Sequence, residues 1–403
     1  MTDGPSLRRL PQSGVDEVAG DPVLEAAIHD EIAANGPITF ARFMERALYE
    51  PDHGYYRSAR ERPGRGGDFL TAPEADPIFG RAIARFVESA WDALGAPDRF
   101  VVREHGAGGG ALAEPLLTEL AEKAPATFAA IRYRVAEVEP RRLGATARRL
   151  ESAGFGEVLE RDDHQPIVGV VIANEVLDAL PTHRVVLRGA VLRELFVDSR
   201  NGRFVEVESA PSTPQLAARL EAEGVVLRDG QHAEICLELE SWIATAAAGL
   251  ARGIMLLIDY GDEARQLYDA ARRPAGTLLA YHRHRAHDRV LAAIGRQDLT
   301  AHVDVTAVRN AALAAGLDDL GTTTQGRFLA ELGAGELLVE LQGAGRASLG
   351  DYLTARSALV RMIDPAAMGS FKVMVFGRGL AEGAALRGLG APDPSRPHRT
   401  APN

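Results

Sequence analysis

The chain has 403 residues, with 45 Lys and Arg against 56 Asp and Glu; a net charge of -11 and a pI near 5.6 exclude a nucleic-acid partner held by a broad basic surface. Apolar content of 46% and charged content of 25% are those of a globular protein, and the length allows two or three structural units. The lone cysteine, Cys236, excludes an internal disulfide, and no apolar run approaches the ~20 residues that cross a bilayer, so a reducing, cytoplasmic setting without membrane insertion is expected.

Residues 1–20 carry no hydrophobic periodicity and are expected to be disordered. Residues 21–97 read as a helical extension. Thr39 can cap a helix whose Phe40, Phe43, Met44, Ala47 and Leu48 fall on one face, and a second helix over 76–94 carries Ile78, Phe79, Ile83, Phe86 and Trp91. Between them lies a loop rich in glycine and aromatics, with His53-Gly54-Tyr55-Tyr56 and Gly67-Asp68-Phe69; its 53–71 stretch is expected to act as a lid.

From residue 100 strands and helices alternate. Phe100–Glu104 is a short strand ending in an acid; a glycine loop and a helix to Lys123 follow. Ile131–Glu137 is a second strand ending in an acid, then come a helix over Pro140–Ala153 and a weak strand near Val158. Pro166–Ala173 is a continuous apolar run, as in a central strand covered on both faces. This order predicts an α/β fold, a doubly wound, mostly parallel, Rossmann-like sheet over 98–181 and 231–380.

Residues 182–230 interrupt it with short strands around Val185–Leu187, Val191–Val197 and Phe204–Val207, read as a β-rich insertion. The wound sheet resumes with a helix over Gln231–Ala248, the strand Gly253–Asp259, a helix over Val303–Ala315, a strand near 321–324 and a last strand over Phe371–Phe376. The proline-containing tail over 381–403 is expected to be disordered.

Glu104-His105-Gly106-Ala107-Gly108-Gly109-Gly110 stands where the first strand turns into the first helix. Glycines there permit positive φ and turn main-chain N–H groups toward a ligand. Gly106, Gly108 and Ala111 also fit a dinucleotide loop, and a tight turn without ligand is the plainer alternative. Three features favour S-adenosylmethionine. Glu104 offers an acid to a cationic amino group, where a pyrophosphate would be repelled. Glu137, an acceptor for two ribose hydroxyls, lies 27 residues past Gly110, further than the ~20 expected for NAD. Gly108-Gly109-Gly110 suits a loop wrapped around a compact nucleoside, with Asp162 and Asp163 near its adenosine end.

Asn174-Glu175-Val176-Leu177-Asp178-Ala179-Leu180-Pro181 follows the central strand, where open parallel sheets place their ligands. Asn174, Glu175 and Asp178 are the candidate catalytic set, with Asn174 also facing the cofactor. The carboxylates can hold a guanidinium or accept a proton. A helix start with both acids on a solvated first turn is the competing reading. Asp259 and Tyr260 end another strand on the same edge and form a second tier. The cluster His282, Arg283, His284, Arg285, His287 has mixed spacing with interleaved arginines, so no metal is expected.

Taken together these stretches resemble the MidA-like proteins, class I S-adenosylmethionine-dependent methyltransferases whose mitochondrial members are arginine methyltransferases that assist assembly of respiratory complex I. Matching motifs run from about 28 to 376. They include Gly36-Pro37-Ile38-Thr39-Phe40, Leu48-Tyr49-Glu50-Pro51, Gly67-Asp68-Phe69-Leu70-Thr71-Ala72-Pro73-Glu74, the 174–181 stretch, Gly276-Thr277-Leu278, Tyr281, and Asp298-Leu299-Thr300-Ala301-His302-Val303-Asp304. The resemblance implies the class I fold, S-adenosylmethionine held at Gly106, Gly108, Gly110 and Glu137, and methyl transfer to nitrogen, foremost a protein arginine. A small-molecule acceptor, a non-catalytic assembly factor and a homodimer stay open as alternatives. The family usually carries an apolar residue, a proline and a larger residue where this chain has His105, Ala107 and Gly109.

Overall fold

The computed structural model describes residues 18–58, 70–283, 285–343, 348–381 and 383–390. The expectations for residues 1–17, for 59–69 of the proposed lid with Gly67-Asp68-Phe69, for His284 and for the tail 391–403 lie outside the described residues.

Seven strands build the main sheet: β1 (Phe100–His105), β2 (Ile131–Ala136), β3 (Leu159–Glu160), β4 (Ile167–Asn174), β5 (Leu250–Asp259), β6 (Asp318–Thr324) and β7 (Lys372–Arg378). Their order is β6-β7-β5-β4-β1-β2-β3; β1 to β5 run parallel, and β7 enters antiparallel between β5 and β6. This is the doubly wound sheet expected from the alternating pattern. Alternate β1 residues divide between its two faces. Phe100 and Val102 join a core with α3 (Ile78–Ala93) and α4 (Ala113–Lys123). Val101 packs with α5 (Glu238–Ala248) and α6 (Val305–Ala314) on the other side. β4 is buried along nearly its whole length, which is why its sequence lacks polar alternation.

One register row has no room for side chains. Gly169 on β4 pairs with Val101 on β1 and with Gly253 on β5. Both glycines have positive φ, 158° and 148°. A Cβ on Gly169 would stand 1.9 Å from the Val101 carbonyl oxygen, and one on Gly253 equally close to the Gly169 carbonyl oxygen. Main chain lies on the obstructed side, so no rotamer change relieves the contact.

The helical extension contains α1 (Pro22–Asn35) and α2 (Phe40–Tyr49). Thr39 caps α2 by accepting the Arg42 N–H at 3.1 Å, and Phe40, Phe43, Met44, Ala47 and Leu48 are all buried. They pack against Leu278, Ala280, Leu299 and Ala301 from a three-stranded sheet whose middle strand, Leu279–His282, pairs with Arg285–His287 and Asp298–Thr300. A separate sheet gathers His183–Arg188, Val191–Arg200, Arg203–Ser209 and His232–Ile235, and takes in Ile38–Thr39 from the extension.

Two expectations are corrected. The helix over Gln231–Ala248 begins only at Glu238, because Ala233 and Ile235 bury into the small sheet's core while Glu234 turns the other way to accept the Thr277 N–H. The tail is ordered at its start: Leu386 and Leu389 pack on the main core, and the Arg387 N–H reaches the Ser89 hydroxyl at 3.2 Å. Replacing Gly169 by Ala is expected to destabilise the protein by about 3 kcal/mol or more, read as a lower urea midpoint in equilibrium unfolding.

Candidate active site

The carboxyl ends of β1, β2, β4 and β5 meet at one edge, and nearly every residue selected from the sequence stands there. In the glycine loop, Gly106, Gly108 and Gly110 have φ of 67°, 56° and 77°. A Cβ at Gly106 would come within 2.8 Å of a Val176 methyl, and one at Gly110 within 2.9 Å of a Thr146 methyl. Gly109 differs: a Cβ there meets nothing within 4 Å, so the larger residue usual in the resembling family would fit.

His105, in place of an apolar residue, is held neutral because burial pushes its imidazole down to about 4, and its ring meets Trp242 edge-on at 5.3 Å. With Leu180, Glu238, Ser241, Thr245 and Ala246 these two line a cavity of about 190 Å³ that includes none of the selected site residues.

Glu137 lies beside the loop, its Oε2 accepting the Gly108 N–H at 3.1 Å and its Oε1 the Glu139 N–H at 3.2 Å. Glu104 lies underneath. It is 5% exposed and its Oε2 accepts the Tyr133 hydroxyl at 2.7 Å. Burial raises its pKa to about 7, against the lowering effect of that hydroxyl. Asp162 stands near the start of the loop, where its charge acts on the His105 imidazole. Its carboxylate pairs at 2.9 Å with Arg103, whose guanidinium also donates to the carbonyls of Gly249 and Gln165.

The β4 end holds the densest chemistry. Glu175 has a left-handed φ of 53°, stabilised by its N–H donating to the Ile258 carbonyl at 2.8 Å. Its Oε1 accepts from Asn174 Nδ2 at 3.0 Å and from the Ala72 N–H at 3.3 Å. Asn174 Oδ1 is buried with no partner among the described residues. The competing reading of a solvated helix start fails, since Leu177–Ala179 is a single 3-10 turn and Asp178 is 6% exposed.

Asp178 accepts the Tyr260 hydroxyl, while Asp259 takes the Leu177 and Asp178 N–H groups at 2.9 and 3.2 Å. Burial raises all three acids: Glu175 to about 8, with the Asp178 charge adding to it, Asp178 above its usual range, and Asp259 well above.

Residues outside the selected set complete the edge. Tyr49 donates to the Ala179 carbonyl at 3.0 Å, and Tyr56 to Asp298 Oδ2 at 2.8 Å. Their rings stack at 5.5 Å. His302 meets the Tyr260 ring edge-on at 5.3 Å. Tyr281 faces Asp298 across two strands. All five belong to motifs noted in the sequence, but nothing local placed them at this edge. Among the described residues no group of three or more His, Cys, Asp or Glu forms a metal-binding set.

Comparison with known proteins adds an independent line. Residues 82–323 match a protein family described as S-adenosyl-L-methionine-dependent methyltransferase. A crystal structure of a superfamily member from Burkholderia thailandensis, bound to S-adenosyl-homocysteine, superposes with a TM-score of 0.82 at 35% identity, covering 96% of this chain and 99% of that one. The chain is 30% identical to mitochondrial protein arginine methyltransferase NDUFAF7 of Mus musculus over 79% of its length and 76% of the relative's. It is 29% identical to the Drosophila melanogaster homolog over 90% and 86%. These relatives are named mitochondrial, which overturns the cytoplasmic expectation; a lone cysteine argues for a reducing environment and cannot tell one reducing compartment from another.

Two outcomes follow. Gly110→Ala is expected to abolish binding of the methyl donor in calorimetry, whereas Gly109→Lys should leave affinity within about threefold, since only the first creates a backbone conflict. The acids of raised pKa bind protons more tightly folded than unfolded, so their contribution to stability, present below about pH 4.5, is lost as pH rises through about 7 to 8. Glu175→Gln should therefore stabilise the protein against urea by roughly 2 kcal/mol at pH 9 and by little at pH 4.5.

Proposed function

The chain belongs to the S-adenosyl-L-methionine-dependent methyltransferase family, and from that premise we propose that its methyl acceptor is a guanidinium nitrogen of a protein arginine side chain. The observation that carries this reading is the crowd of three carboxyls, Asp178 and Asp259 buried and Glu175 half-buried, at the ends of two adjacent strands beside the glycine loop. An isolated group of acids held partly protonated by burial gains most from a ligand that is cationic, planar and rich in N–H donors. A guanidinium has all three properties, and it offers paired donors to a carboxylate. The names of the curated relatives support the same acceptor.

On the donor side we assign the main chain of Gly106, Gly108 and Gly110, the carboxylate of Glu137 and the unpartnered Oδ1 of Asn174 to cofactor binding. The residues fit such a group: the left-handed φ of 56° at Gly108 favours a position without a side chain, and Asn174 offers a buried acceptor without a partner among the described residues. Bound S-adenosyl-L-methionine supplies a methyl group already activated by its sulfonium charge. Glu104 and Asp162 are assigned to positioning, the first under the loop through Tyr133, the second at Arg103.

With an activated donor, the protein's work is orientation, exclusion of water and removal of one proton. Transfer replaces an acceptor N–H bond by an N–CH3 bond, and the displaced proton needs a base. Glu175, raised to about 8 by burial, becomes ionised when a cation stands beside it and then accepts that proton. Asp178, oriented by the Tyr260 hydroxyl, and Asp259, anchored on main-chain N–H groups, hold the remaining acceptor N–H groups.

The test is transfer of a labelled methyl group from the donor to an arginine-containing peptide, using protein freed of bound nucleoside. Wild type is expected to yield methyl-arginine. Glu175→Gln is expected to lose about 100-fold or more in kcat while binding the donor within about threefold. Label recovered on lysine or on no residue, or an undiminished Glu175→Gln rate, would sink the proposal.

A further inference from the structure

We propose that Tyr281 is a specificity-determining residue that contacts the acceptor nitrogen and limits it to one methyl group; the proposal rests on the guanidinium reading above. Tyr281 lies on the middle strand Leu279–His282 and is paired across it with Asp298, so the two side chains share a face. Asp298 is fixed: it is 1% exposed, its Oδ2 accepts the Tyr56 hydroxyl and its Oδ1 the Leu299 N–H at 3.0 Å. The strand itself is tied to the catalytic turn, because the Ala301 N–H, just past Asp298–Thr300, donates to the Asp178 carbonyl at 3.0 Å. Tyr281 is thereby tied, through the strand that pairs with it, to the turn that carries Asp178.

Its hydroxyl is distinguished from the other phenols of this edge. Tyr49, Tyr56 and Tyr260 each spend theirs on a protein acceptor. The Tyr281 hydroxyl has no hydrogen-bond partner among the described residues, yet burial and the charges of Asp178, Asp298 and Glu175 all raise its pKa. The side chain is half-buried, so the phenol is partly open to an incoming ligand.

A phenol so placed has one hydrogen to donate and lone pairs to offer. It can donate to a carboxylate while accepting an N–H from a guanidinium held by Glu175 and Asp178. That contact aligns the reacting nitrogen for the first transfer. Once the nitrogen carries a methyl group it has one N–H fewer, and the methyl occupies space next to the phenol oxygen. A second transfer to the same nitrogen then requires both a lost hydrogen bond and a steric adjustment.

The experiment measures products by mass spectrometry after many turnovers on an arginine peptide, for wild type, Tyr281→Phe and Tyr281→Leu, with donor affinity and thermal unfolding followed in parallel. Wild type should give monomethylated nitrogen. Tyr281→Phe should raise the ratio of N,N-dimethyl to monomethyl product by about fivefold and lower kcat/KM for the unmethylated peptide by about tenfold, mainly through KM. Tyr281→Leu, with more space, should raise the ratio further. An unchanged ratio and KM in a folded, donor-binding Tyr281→Phe overturns the proposal, as does a variant that loses donor binding or unfolds early, which assigns Tyr281 to structure. A wild type that binds the donor but transfers nothing to arginine instead overturns the guanidinium reading, and this inference with it.

Discussion

The arrangement depends on holding three carboxyl groups together, half out of water, at the ends of β4 and β5. Charged carboxylates this close repel one another and are poorly solvated, so the fold must supply donors or leave protons in place. Both happen. Asp259 takes two main-chain N–H groups from the turn that follows β4, Asp178 takes the Tyr260 hydroxyl on one oxygen, and Glu175 accepts from Asn174 and the Ala72 N–H. The donors come from three segments, the end of β4 with the turn after it, the end of β5 and Ala72, so the acid cluster exists only when all three are docked.

This explains why the helical extension is more than a cover. Ala72, Tyr49 and Tyr56 all precede the sheet in sequence, and each makes a hydrogen bond to the acidic edge or to the strand behind it. The amphipathic face of α2 fixes the two tyrosines there by burying its aromatic residues against the three-stranded sheet, while Ala72 packs in the main core. The same sheet carries Asp298 and Tyr281. Packing of a helix on a distant hairpin thus shapes a site whose acids belong to neither. Such coupling places the cost of burying charge where ligand binding can recover it, because an entering cation favours the ionised acids.

Much of this was legible residue by residue. Period-two and period-3.6 patterns located the strands and helices, the glycine spacing located the loop, and acids at strand ends marked the functional edge of a parallel sheet. What was not legible shares a cause. Acids at strand ends can reach a ligand, but nothing local shows that Glu104 also takes the Tyr133 hydroxyl from β2 and that Asp162 pairs with Arg103 of β1. His232–Ile235 was absorbed into a helix because a four-residue strand has too short a period to outweigh the helix that follows it. Leu386 and Leu389 looked like part of a polar tail, since two leucines carry no periodicity until a core is there to receive them.

The sequence by itself determined the wound α/β sheet, the bare loop of Gly106, Gly108 and Gly110, and the presence of acids after β4. These follow from local properties: backbone freedom at glycine, side-chain period, and chain direction in a parallel sheet. Only the tertiary structure decided which partners each acid takes, and that tyrosines from residues 49 to 281 gather at the same edge. Those outcomes depend on contacts between separate segments, more than 100 residues apart for Tyr49 and Tyr56, where no period or spacing in the chain records the pairing.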